Sequence, residues 1–230
     1  MLICFEIKKI IIVAGPNQPE FKKYIKHLKK DRSWLKLKVE IIFTFQRKLR
    51  GNGDAIMAAK KFIKNKPFLV CFSDDLLVDK FPPMKKFLNI FEEVDSPVVV
   101  LEPVEKKFVH RYGIVRHEKT QNKDLYLIKG VVEKPSPKKA PSNLSIIGRY
   151  VLTPAILKEL AKLYPYKGKE IGIADALKNY AAKGGRIYGW HFRGKRFDAG
   201  SKTGLLQAQT YFGLHHKEIG PEFKKYLKSL

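Results

Sequence analysis

Four short apolar runs, at residues 10–14, 39–45, 68–72 and 97–101, divide the first half of this chain. The stretches after the first three carry helical spacing, through Phe21, Tyr24, Ile25 and Leu28, then over 54–63, then over 82–91. Runs of five to seven β-branched and aromatic residues are too short for helices and suit strands covered on both faces. Strands alternating with helices specify a mostly parallel, doubly wound α/β sheet flanked by helices, Rossmann-like in class. After Glu102 the pattern changes. Strands are expected at 113–115, 125–132, 144–152 and 186–192, with helices starting at Pro154 and Ile173 and a last one over 203–215. Residues 135–141 hold three prolines and read as an ordered loop lining a cleft, too short to link two domains. A length of 230 residues suits one domain over 1–230.

The formal charge is +24, from 46 Lys and Arg against 22 Asp and Glu. Lysine supplies most of it and is spread from Lys8 to Lys228, whereas base-specific recognition favours Arg gathered on one element. No specific nucleic-acid partner is expected, although the field favours anionic small molecules. Cys4 and Cys71, the only cysteines, lie in apolar surroundings and read as reduced core residues of a cytoplasmic protein. Residues 1–13 are interrupted by Glu6, Lys8 and Lys9, so they form neither a signal peptide nor a bilayer span, and no membrane partner is expected.

Several polar motifs follow the apolar runs, where open α/β sheets place ligand-binding loops. Asp74 and Asp75 follow the third run directly. A carboxylate there is costly to desolvate unless paired, and a hard cation such as Mg²⁺ is a natural partner; a turn or helix-capping aspartate is the alternative. Asp198, before Ala199-Gly200, carries the same two readings, and with Asp74 it would make a two-point clamp. Glu133-Lys134-Pro135 ends a strand, pairing an acceptor for sugar hydroxyls with a cation for phosphate, or else is an exposed strand end. Gly51 and Gly53 permit close backbone approach at a helix N-terminus, as an ordinary turn also would. His191, His215 and His216 show no base-orienter arrangement and are given no catalytic role.

Taken in order, Gln46 with Gly51-Asn52-Gly53, Ser73-Asp74-Asp75, Tyr112-Gly113, Val132-Glu133-Lys134-Pro135, the segment from Ala140 to Thr153 and the segment from Phe197 to Lys202 resemble the bacterial UTP-glucose-1-phosphate uridylyltransferases of the sugar nucleotidyltransferase family. The resemblance implies transfer of UMP from UTP to glucose 1-phosphate, giving UDP-glucose and pyrophosphate, with Mg²⁺ as cofactor. It implies Asp74 and Asp198 as metal ligands, with Lys134 joining them as catalytic residues. It implies Gln46 and Gly51 as nucleotide-binding, and Gly113, Glu133 and Lys134 as sugar-phosphate-binding. The family's Gly-x-Gly-Thr-Arg loop and first strand have no counterpart, so the domain is expected to be incomplete at its N-terminus and this polypeptide to have little transferase activity. A non-catalytic sugar-nucleotide-binding or regulatory remnant is the alternative reading. For assembly, the expectation lies between a homo-oligomer and association with a separate N-terminal piece.

Overall fold

The computed structural model describes residues 7–16, 18, 21, 23, 24, 27, 39–164 and 170–230. Cys4, and Ile25 and Leu28 of the helical pattern, lie outside the described residues. In chain order the elements are β1 (Lys9–Ala14), β2 (Glu40–Phe45), α1 (Asn52–Ile63), β3 (Phe68–Cys71), β4 (Asp75–Val78), α2 (Pro83–Val94), β5 (Val98–Pro103), a 3₁₀ turn (Lys106–Arg111), β6 (Gly113–Lys119), β7 (Leu125–Glu133), β8 (Leu144–Leu152), α3 (Pro154–Lys162), α4 (Ile173–Ala182), β9 (Tyr188–His191), β10 (Lys195–Asp198), α5 (Lys202–Leu214) and α6 (Gly220–Lys228). No helix among the described residues is long and apolar enough to cross a membrane.

Six strands form the main sheet in the order β3-β8-β5-β9-β7-β6, with helices on both faces. The alternation along β5 shows the two-sided burial: Val99 and Leu101 face one core with α1, α3 and α4, while Val98 and Val100 face another with α2. The sheet is mixed. From the pairing senses, β3, β5, β9 and β6 run one way, but β8 and β7 run against them and intercalate. Within this sheet only β5–β9 is a parallel pairing, so the expectation of a mostly parallel sheet is corrected: β7 and β8, from the part of the chain after Glu102, insert antiparallel between the others. Helix α2 shows how sequence sets an element: Pro83 enters at the first turn, Phe87, Ile90 and Phe91 make the buried stripe, and Asp95 ends it in a left-handed turn with its N–H on Phe91 O.

Two smaller sheets stand apart. β1 pairs with β2 in parallel, and β4 pairs with β10 antiparallel. Sequence reading missed β4, β10 and α6; the first two are four-residue strands that carry charges and stabilise each other. Two further expectations are corrected. Cys71 ends the edge strand β3 and is exposed rather than in the core. Beyond Pro135, which is buried, residues 136–139 are exposed and the connector runs over the surface.

Candidate functional site

β3 delivers the chain to the sheet's edge, where Phe72 N donates to Gly148 O at 2.8 Å and the backbone turns into β4. Asp75 sits opposite Asp198 in the β4–β10 pair, and Ala199 N donates to Asp74 O at 2.8 Å. Asp74 and Asp198 are thereby brought side by side. The point a Cβ on Gly200 would occupy is 2.7 Å from Asp74 Oδ2 and 3.2 Å from Asp198 Oδ1, so glycine leaves a cradle between two carboxylates. Among the described residues no cluster of three His, Cys, Asp or Glu forms a metal centre. Two carboxylates, with phosphate oxygens and water completing the shell, suit Mg²⁺, which binds through one or two carboxylates plus substrate phosphate. Asp75 has other work: Gly148 N donates to its Oδ2 at 2.7 Å, and Arg196 pairs with its Oδ1.

A second group surrounds a cavity of about 150 Å³ lined by Asn52, Gly113, Glu133, Lys134, Tyr150, Glu170 and Asp175 among others. Gly113 opens β6 as the register partner of Glu133 at the end of β7. Lys134 takes a left-handed φ of 48°, fixed by its N–H on Tyr112 O at 3.0 Å, and its Nζ lies 3.8 Å from Glu133 Oε1. Burial pushes the Glu133 carboxyl above its ordinary value against the pull of Lys134, with repulsion from Asp175 and Glu170 adding to it. Burial likewise holds the Tyr150 phenol well above its usual range. The cavity thus offers several hydroxyl acceptors beside one ammonium.

Gln46 follows β2 and is buried. Its Nε2 donates to Gly51 O at 3.0 Å and Asp54 Oδ2 at 2.7 Å, and its side-chain carbonyl oxygen has no partner among the described residues. Gly51 adopts a φ of 97°, and a Cβ on it would lie 2.7 Å from Ile171 O, so conformation and packing both require glycine there. Asn52 carries this loop to the cavity, its Oδ1 accepting from Ile173 N at 2.9 Å. The segment Arg111-Tyr112-Gly113 joins the cavity to the aspartate pair, with Arg111 Nη2 at 3.9 Å from Asp198 Oδ2. All the expected site residues therefore fall in three adjoining groups. Sequence reasoning had not singled out Asn52, Tyr150, Glu170 or Asp175 as site residues; the first two lay inside quoted motifs, and Asp175 in the first turn of α4 was the remaining signal.

The nucleotidyl transferase family model matches residues 1–213. A UTP–glucose-1-phosphate uridylyltransferase of Staphylococcus epidermidis is 32% identical over 241 aligned residues, covering 97% of this chain and 82% of the relative. A UDP-glucose pyrophosphorylase solved in complex with UDP-glucose superposes with a TM-score of 0.78 at 33% identity, covering 89% of this chain and 80% of that one. A UTP-bound UGPase from Acinetobacter baumannii gives a TM-score of 0.79 at 27% identity, covering 98% of this chain and 84% of that one.

Proposed function

The chain belongs to the nucleotidyl transferase family, and from that premise we propose that its site is built for uridylyl transfer between UTP and glucose 1-phosphate. The observation that carries the reading is the cradle at Gly200, where Asp74 and Asp198 converge beside the cavity of Glu133 and Lys134. The reaction joins a sugar-phosphate oxygen to the α-phosphorus of the nucleotide as the bond to pyrophosphate breaks. Protein catalysis of such transfers is positioning and charge neutralisation.

In this reading Glu133, Glu170 and Asp175 accept sugar hydroxyls, and the Lys134 ammonium neutralises the sugar phosphate. Gln46 offers its side-chain carbonyl oxygen to the N3–H of uracil, beside the backbone of Gly51. Asp74 and Asp198 hold Mg²⁺, which when bound offsets the negative charge of the phosphates. The best-supported partners are UTP, glucose 1-phosphate and UDP-glucose, the ligands and substrates in the names of the similar proteins.

Calorimetric titration of the purified chain with UDP-glucose and, separately, ADP-glucose tests the assignment. One-site binding of UDP-glucose, at least about tenfold tighter than ADP-glucose, is expected. Equal affinity for the two, or no binding of UDP-glucose, overturns it.

A further inference from the structure

The aspartate pair rests on a feature that is weak by itself. β4 and β10 have four residues each and pair only with one another among the described strands. A two-stranded pair of this length is marginal in water, and its register is poorly fixed by backbone hydrogen bonds. A slip of one residue would turn the Asp198 side chain to the opposite face and take it from Asp74. Something else has to hold the register.

We propose that the buried ion group Asp75–Arg196–Glu102 is a register lock on β4–β10, and that Arg196 is a positioning residue for the divalent cation held by Asp74 and Asp198. The proposal rests on the reading of those two carboxylates as cation ligands. Arg196 and Asp198 stand two residues apart on β10 and so share a face. Arg196 Nε pairs with Asp75 Oδ1, and its Nη1 lies 3.2 Å from Glu102 Oε2. Their side-chain exposures are 9% for Arg196, 7% for Asp75 and 26% for Glu102. Because Glu102 belongs to β5, the same guanidinium ties the small pair to the main sheet.

The opposite side of the turn is pinned as well. Arg149 on β8 donates through Nη1 to Phe72 O at 2.7 Å and through Nη2 to Asp75 O. With Gly148 N on Asp75 Oδ2, residues 72–75 are held from two sides. Alternative registers would leave Asp75 or Arg196 buried without its partner, which is strongly unfavourable. The ion group therefore acts against wrong pairings, as buried polar groups that fix register do in other folds. Arg196 spends its side chain on Asp75 and Glu102, with its guanidinium 5.7 Å from the centre of the Tyr112 ring, and acts on the cation site through the strand geometry.

The test uses Mn²⁺ as probe, counting free ion by electron paramagnetic resonance, with UDP-glucose binding followed separately by calorimetry in the absence of metal. The wild-type chain is expected to bind Mn²⁺ and Asp198→Asn to lose it; no binding by wild type, or retention by Asp198→Asn, removes the ligand reading itself and is told apart from failure of the lock. Asp75→Asn is expected to weaken Mn²⁺ by about tenfold or more while UDP-glucose affinity stays within about threefold. Arg196→Lys, which keeps the charge but loses the forked reach to Asp75 and Glu102, should fall between. Wild-type Mn²⁺ affinity in Asp75→Asn overturns the proposal. So does a parallel loss of UDP-glucose binding, which would make the ion group a determinant of overall stability.

Discussion

Gly113 and Glu133 are register partners across β6 and β7, and a Cβ on Gly113 would stand 3.1 Å from Glu133 Oε2 and 3.5 Å from Val131 Cγ1. The carboxylate is at the end of a flexible side chain, so Gly113→Ala displaces it more readily than it disturbs the sheet. UDP-glucose affinity measured by calorimetry should drop by about tenfold, equivalent to about 1.4 kcal/mol, with little change in melting temperature.

The raised Glu133 carboxyl gives the binding a pH dependence. Burial, with Asp175 and Glu170 nearby, places its titration above the ordinary glutamate value of about 4.3. Protonation ends its role as a pure acceptor, so UDP-glucose affinity should decline on acidification before an unperturbed carboxylate would titrate. Asp175→Asn removes one repelling charge and should move the midpoint of that decline to lower pH, as calorimetric titrations across a pH series would record.

Glu159 on α3 pairs with Lys162 Nζ of its own helix at 2.8 Å and with Lys183 Nζ, at the C-terminal end of α4, at 2.5 Å. Hydrogen bonds from both lysines hold its carboxyl below the ordinary glutamate value. A lowered folded-state value gives stability that is present above the unfolded value and lost as pH falls through the folded one. Glu159→Gln should melt a few degrees lower at neutral pH, and the gap from wild type should close in acid.

Gly148 has no room for a side chain. A Cβ there would lie 2.7 Å from Phe72 Cβ and collide with the Asp75 carboxylate. Gly148→Ala should cost about 1–3 kcal/mol by overpacking, read as a lower urea midpoint.

Much of this arrangement was legible in the chain. The run at 144–152 reads as a strand and forms one with the same bounds, because its residues are buried on both faces. Pro154 and Ile173 open helices where the sequence breaks from strand pattern. What was not legible depends on partners far along the chain. Lys195–Asp198 alternates no hydrophobic face and becomes a strand only against Asp75–Val78, over a hundred residues earlier. The resemblance pointed to Asp74 rather than Asp75, but the physical reason was hidden: Arg196 and Gly148 claim Asp75, while the Asp74 carboxylate has no such partner among the described residues. Glu170 joins the cavity only because Ile171 packs on Gly51 and Gly53.

Among the described residues, β1 and β2, whose chain leads directly into Gln46, share no ladder with the six-stranded sheet or with the β4–β10 pair that positions Asp74 and Asp198. Contact to the rest of the fold passes largely through α1, which packs on β1, on β2 and on α3. The proposed base-reading loop and the proposed cation ligands therefore ride on two plates with no continuous backbone mesh between them among the described residues. A nucleotide spans a fixed length from base to phosphates, so once bound it is a strut between the plates. Its binding should slow amide exchange along β1 and β2 at residues it never touches, in proportion to the freedom the strut removes.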